Sequence, residues 1–272
     1  MLFAALVVGC ERRSAGTGLP DGDVESIRVE PAEVALRPRT GAPQTVEFKA
    51  YATFPGGEEV PIDLVSWSSS NLSAGDIDST GTFESVDTNG GVTEITATHL
   101  GITGTAELSV VYTQDVIEDD LSGDVAAAFR AASATTGERP ALRYPLDGVR
   151  VPRNLEGLLF LWNDPNPGTV QRLAFESDIT DISVYRSGSD RWFATSDLWA
   201  RIAASNRNGK VRVYLEGGQW NGTTLRNVVR GPEIELTVNR LDARGSVLYW
   251  STTSQGVRRI PLGSAESTSF YG

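Results

Sequence analysis

Two stretches decide the fold: Val65-Ser66-Trp67-Ser68-Ser69-Ser70-Asn71, and shortly after it Ile77-Asp78-Ser79-Thr80-Gly81-Thr82-Phe83. The first puts a tryptophan on a short apolar strand that runs into a polar loop, which requires a space between two layers for the ring to fill. The second is a hairpin signal, with Gly81 free to take the positive φ that the turn needs. Period-two runs extend outward on both sides: Ile27-Arg28-Val29, Val34-Ala35-Leu36 and Val46 to Ala52 before, Ile95-Thr96-Ala97-Thr98 and Ala106-Glu107-Leu108-Ser109-Val110 after. Alternation buries Ile95, Ala97, Leu108 and Val110, and Trp67 is expected in the core. Some seven short strands at regular spacing predict a β-sandwich over 25–112.

This segment resembles a bacterial immunoglobulin-like domain of group 2. The resemblance rests on Ile27 to Pro31, Val34 to Leu36, the Trp67 strand, the Ile77 to Phe83 turn, Gly91 through Thr98 and the closing Gly104 to Val110.

Beyond it, Asp115 to Leu121 is acidic and Val125 to Ala132 is alanine-rich. These residues predict an acidic linker over 113–143 with one short helix capped by Asp124. A second β pattern occupies 144–243: Leu158 to Trp162, Val170 to Phe175, Ile182 to Tyr185, Val211 to Leu215 and Ile234 to Val238, with a helix over Asp197 to Ser205 capped by Ser196. Its Pro-rich opening, Phe-x-Trp strand and Val-x-Val-Tyr strand resemble a fibronectin type III-like sandwich, which implies binding or spacing and not catalysis. The expected fold class is therefore all-β, two immunoglobulin-type β-sandwiches in tandem with a short helical linker.

Both ends carry signals of their own. Met1 to Gly9 is uncharged and apolar, too short to span a bilayer, and charge begins immediately after Cys10. Val7-Val8-Gly9-Cys10 resembles a bacterial lipobox, which implies lipidation of Cys10 and a signal remnant over 1–10. Residues 11–24 read as a flexible tether. Acyl chains at about 0.8 kcal/mol per buried methylene would anchor the chain at a membrane surface. At the other end, 244–272 forms a terminal hairpin. Its Ser246 to Ser251 and Gly256 to Ile260 runs resemble the first hairpin of a propeller blade of the periplasmic TolB-like type. One blade cannot close a propeller, so the stretch is either the start of a truncated β-propeller or a stray hairpin.

The 272 residues include one histidine, His99, and one cysteine. That removes multi-Cys and multi-His zinc sites and any serine-histidine triad not built on His99. The 35 acids and 24 bases are unevenly placed. Residues 1–138 hold 22 acids and 7 bases, a net −15, whereas 139–272 is net +4. An acidic first half and a dispersed second half leave no electrostatic footprint for nucleic acid. Asp76, Asp78 and Asp87 lack the alternating run of a calcium loop and read as turn carboxylates. No catalytic residue, metal site or cofactor is expected. Trp192 and Trp220, flanked by polar and glycine residues, read as ligand platforms on loops, suited to stacking on sugars. The function expected is a noncatalytic lipoprotein of the cell envelope, lipid-anchored at the outer membrane on its periplasmic or surface face, acting as an adhesive, recognition or spacer module with an envelope glycan or protein as partner. The alternative is a carbohydrate-binding accessory, or the N-terminal part of a larger carbohydrate-active or propeller-containing enzyme.

Overall fold

A computed structural model describes residues 23–118, 121, 123–165, 170–262, 264 and 266–271. The first unit contains β1 (Ser26–Glu30), β2 (Glu33–Leu36), β3 (Thr45–Glu47), β4 (Lys49–Thr53), β5 (Glu59–Ile62), β6 (Ser66–Ser69), β7 (Gly75–Ile77), β8 (Thr82–Ser85), β9 (Gly91–His99) and β10 (Ile102–Val110). One layer has the order β2-β10-β9-β6. The other is built from β1-β4-β5 and β3-β8-β7, which adjoin because only Phe48 separates β3 from β4. Strict alternation along β9 and β10 points Ile95, Ala97, Leu108 and Val110 into the space between the layers, as their spacing predicts. Phe48 and Phe83 fill it from the opposite side. Trp67 is half-buried on β6, packed on this core with its ring 6.5 Å from that of Phe48.

The turn between β7 and β8 is held by Asp78. Its Oδ1 accepts from the backbone N–H of Thr80 and Thr82 and from the Thr80 hydroxyl, at 2.8, 3.0 and 2.6 Å. Gly81 has φ +87°, and a Cβ there would lie 2.6 Å from the Phe48 carbonyl oxygen. Asp76 and Asp87 likewise accept from backbone N–H groups, those of Ile77 and Gly41. All three aspartates thus accept from backbone donors, Asp78 and Asp76 within their own turn and Asp87 across to Gly41. His99 lies at the end of β9, where its Nδ1 pairs with the Leu64 carbonyl oxygen at 2.6 Å. The expected tether ends sooner than residue 24: Val24 is buried in the first core.

The second unit contains β11 (Tyr112–Ile117), α1 (Val125–Ala131), β12 (Ala141–Tyr144), β13 (Arg150–Val151), β14 (Gly157–Asn163), β15 (Val170–Ser177), β16 (Thr180–Ser187), β17 (Arg191–Thr195), α2 (Ser196–Ser205), β18 (Lys210–Trp220), β19 (Leu225–Arg230) and β20 (Ile234–Val238). A long sheet, ordered β11-β16-β15-β18-β20-β13 with β19 also paired to β18, faces a short one, β12-β14-β17. In each unit an early strand lies parallel to the last one, β2 with β10 and β13 with β20. The chain is thus an all-β tandem of immunoglobulin-type sandwiches.

The second core is aromatic. Phe160, Phe175 and Trp192 meet with ring centroids 5.2 to 6.0 Å apart, and α2 closes one side by burying Trp199. Thr195 caps α2, rather than the expected Ser196. Thr195 keeps an extended backbone, so its hydroxyl can accept from Leu198 N, while Ser196 already lies in the helix.

The expected linker over 113–143 needs correction. Its helix forms as α1 with Asp124 as the cap, but the residues around it belong to the second sandwich. Tyr112 to Ile117 pair in parallel with Thr180 to Tyr185, and α1 buries Val125 and Phe129 against Tyr185 and Val228. A spacer left in solvent would strand this apolar surface and the backbone groups of β11. The terminal segment is a three-stranded meander, not a hairpin: β21 (Ser246–Ser251), β22 (Gly256–Pro261) and β23 (Thr268–Tyr271). Thr268-Ser269-Phe270-Tyr271 has the β-branched and aromatic content of a strand and adds itself to β22.

Candidate functional site

The two sandwiches meet almost without a connector, since Val111 alone separates β10 from β11. The backbone is tied on both sides of it. Val111 N–H donates to the Leu36 carbonyl and Thr113 N–H to the Pro38 carbonyl in the first unit, at 2.8 and 3.0 Å. Tyr112 N–H donates to the Ile179 carbonyl in the second at 3.1 Å. The fully buried Tyr112 ring places its hydroxyl where it accepts from Thr40 Oγ1 (2.6 Å) and Arg201 Nη1 (3.3 Å) and donates to Gln114 Oε1 (2.8 Å). Arg37 crosses to Asp181 at 3.2 Å.

Beside this seam lies a cleft of about 430 Å³. The first sandwich contributes Arg37, Arg39 and Gln44. The second contributes residues of β11, α1, β15 and β16, among them Asp115, Arg130, Arg172 and Tyr185. Strand alternation explains the convergence: Arg172 and Ser183 project from adjacent strands on the face opposite the aromatic core, and Arg130 reaches over from α1. Arg130 Nη1 holds Asp115 Oδ2 at 2.8 Å, and Tyr185 donates to Asp115 Oδ1 at 3.2 Å.

Arg172 forms the floor. Its Nη1 donates to Glu216 Oε2 at 3.0 Å and its Nε to Ser183 Oγ at 2.9 Å. Burial by itself would weaken its charge, but Tyr214, Glu216 and Tyr185 outweigh burial and hold the guanidinium above its ordinary range. Burial also pushes the Tyr214 and Tyr185 hydroxyls upward. Arg230 stacks on the other side of this cluster, 3.6 Å above the Tyr214 ring.

The residues singled out by sequence do not gather here. Cys10 lies outside the described residues. Trp192, expected on a loop, is instead on β17 at 4% exposure, in the heart of the second core. Its Nε1 donates to Glu118 Oε1 at 2.8 Å, so neither ring face is left for a sugar. Arg191-Trp192-Phe193-Ala194-Thr195 alternates with Trp192 and Ala194 inward and Phe193 outward. The polar Ser-Gly-Ser-Asp turn before it obscures that alternation. Trp220 ends β18 opposite Leu225, half-buried against the small core under α1. No sequence feature marked the cleft, because the charge seam after residue 138 falls within the second unit and not at the Val111 junction.

No family model matches the chain, and no curated protein does. Solved structures align over most of its length. The titin immunoglobulin tandem domains share 11% identity, covering 81% of this chain and 100% of theirs at a TM-score of 0.25. Domains 5 and 6 of the S-layer protein SbsC share 12%, covering 79% and 98% at 0.26. A tetra-tandem repeat from the extending region of a large adhesion protein shares 13%, covering 86% of this chain and 55% of its own at 0.25.

Proposed function

We propose that this chain is a noncatalytic lipoprotein of the bacterial cell envelope, anchored through Cys10, whose paired domains of group 2 immunoglobulin-like and fibronectin type III-like type act as a stiff adhesive or spacer module. One observation carries the mechanical part of this reading: a single residue, Val111, connects the two sandwiches, and backbone hydrogen bonds fasten the chain to both. A spacer must hold a binding surface at a fixed distance, and a junction without free linker residues does so because it has few torsions to relax. The anchor rests on the abrupt change from an apolar run to charge at Cys10.

Small-angle scattering from the full chain tests the stiffness. A pair-distance distribution with the two fixed maxima of a rigid tandem is expected, and it should broaden when a Gly-Ser segment is inserted after Val111. An unchanged distribution after the insertion would refute the rigid spacer. The anchor is tested separately by labelled palmitate in cells, which should enter the wild type and be absent from Cys10→Ser; label persisting in that variant would sink the lipoprotein assignment.

A further inference from the structure

We propose that the cleft between the sandwiches binds an anionic saccharide, holding its carboxylate with arginine and its hydroxyl groups with the surrounding polar side chains. The spacer reading does not require this site, and neither depends on the other. The first sandwich, residues 25–112, is acidic and contains only Arg28, Arg37, Arg39 and Lys49 as cations. Two of these, Arg37 and Arg39, line the cleft, and Arg130 and Arg172 join them from the second sandwich. Against four guanidinium groups the lining sets two carboxylates, and both are already engaged, Asp181 by Arg37 and Asp115 by Arg130. The charge of Arg172 is met from behind by Glu216. Arg39 makes no ion pair among the described residues, and its backbone is fixed by bridges to Ala42 and Thr113. The cleft therefore keeps one guanidinium, on a fixed stretch of backbone, whose charge has no protein partner among the described residues, at the edge of an acidic first sandwich.

The remaining chemistry narrows the ligand. A bare phosphate or sulfate offers mainly acceptors and would meet Asp115 and Asp181 as like charges. A sugar acid presents one carboxylate for an arginine fork and several hydroxyls that donate to carboxylates and accept from Arg and Tyr groups. The volume of about 430 Å³ falls within the range of small-ligand sites. Residues from both sandwiches line the cleft, so a ligand seated there would touch both and favour their observed arrangement.

The full chain should be titrated by calorimetry at low ionic strength with D-glucuronate, D-glucose and inorganic sulfate. Saturable binding of glucuronate is expected, with glucose and sulfate each at least about tenfold weaker. Arg39→Gln should weaken glucuronate about tenfold while leaving the melting temperature unchanged, since the side chain is exposed and unpaired. Arg39→Lys should recover only part of the loss, because an ammonium cannot form the bidentate fork. Absence of saturable glucuronate binding would overturn the proposal, as would equal binding by the wild type and Arg39→Gln. Sulfate binding as tightly as glucuronate would also overturn it, by reducing the site to nonspecific anion attraction.

Discussion

The backbone N–H of Gly90, in the loop before β9, donates to the Ser205 hydroxyl at the end of α2 across 2.9 Å, and the contact is buried. The Ser205 hydroxyl in turn donates to the Arg201 carbonyl at 2.9 Å. The approach is possible because residue 90 has no side chain. A Cβ there would lie 1.9 Å from the Ile179 carbonyl oxygen and 2.7 Å from that of Val110, both backbone atoms of the seam.

Gly90→Ala is therefore expected to force the sandwiches apart while leaving each core intact. In scanning calorimetry the wild type should unfold as one cooperative unit, and the variant should show two resolved transitions. Ser205→Ala removes the acceptor for Gly90 and the donor to Arg201, and strands a buried N–H, a milder loss of about 1 to 3 kcal/mol. A Gly90→Ala protein that melts as the wild type does would show that the seam is not close-packed.

Trp192→Ala should cost roughly 3 to 5 kcal/mol, because it opens a large cavity beside Phe160 and Phe175. It also leaves Glu118 without its indole donor. Trp220→Ala, at the half-buried end of β18, should cost clearly less. Chemical denaturation of both variants measures the difference, and a smaller loss at Trp192 than at Trp220 would contradict the placement of the two rings.

The first sandwich was legible because its strands are short, amphipathic and punctuated by turns, so that period two alone sorts inside from outside. In the second sandwich the same rule weakens. Strands buried on both faces, such as Ile182-Ser183-Val184-Tyr185, have no polar phase, and on β17 the outward Phe193 hides the inward Trp192. The domain boundary was misplaced for a related reason. Tyr112-Thr113-Gln114-Asp115-Val116-Ile117 looks like the approach to a linker, yet its backbone is satisfied by β16, whose sequence lies far downstream. The cleft was not legible at all, since Arg37 and Arg172 come together only through the pairing of whole domains.

Arg172 and Glu216 form a largely buried pair on the cleft floor, with side chains 14% and 11% exposed. Glu216→Ala leaves the guanidinium with Glu176, at the longer distance of 3.7 Å, as its ion-pair partner among the described residues, and should destabilise the protein by about 3 to 5 kcal/mol. Replacing both residues together, Arg172→Met with Glu216→Leu, removes the stranded charge and should restore much of that loss. Urea denaturation of the single and double variants forms the cycle. A double variant less stable than Glu216→Ala would mean that the contacts of Arg172 with Ser183 and Tyr214 outweigh its pairing.

Asp78 gives the first sandwich an acid-sensitive turn. The Thr80 hydroxyl, followed by the N–H groups of Thr82, Thr80 and Gly81, holds its carboxyl below the ordinary aspartate range. An acid whose pKa is depressed by folding binds its proton more readily when unfolded, so its contribution is present above the unfolded value of about 3.9. That contribution disappears as pH falls through the lower, folded value. Asp78→Asn keeps an oxygen for the backbone donors and removes the titration. Its melting temperature should therefore lie below that of the wild type at neutral pH, and the gap should close as the solution is acidified below about pH 4. Glu59, Asp190 and Asp242, each lowered by an arginine partner, titrate in both proteins and cancel from the comparison. A gap that stays constant from neutral pH down through this window would mean that the turn does not select the ionised carboxylate.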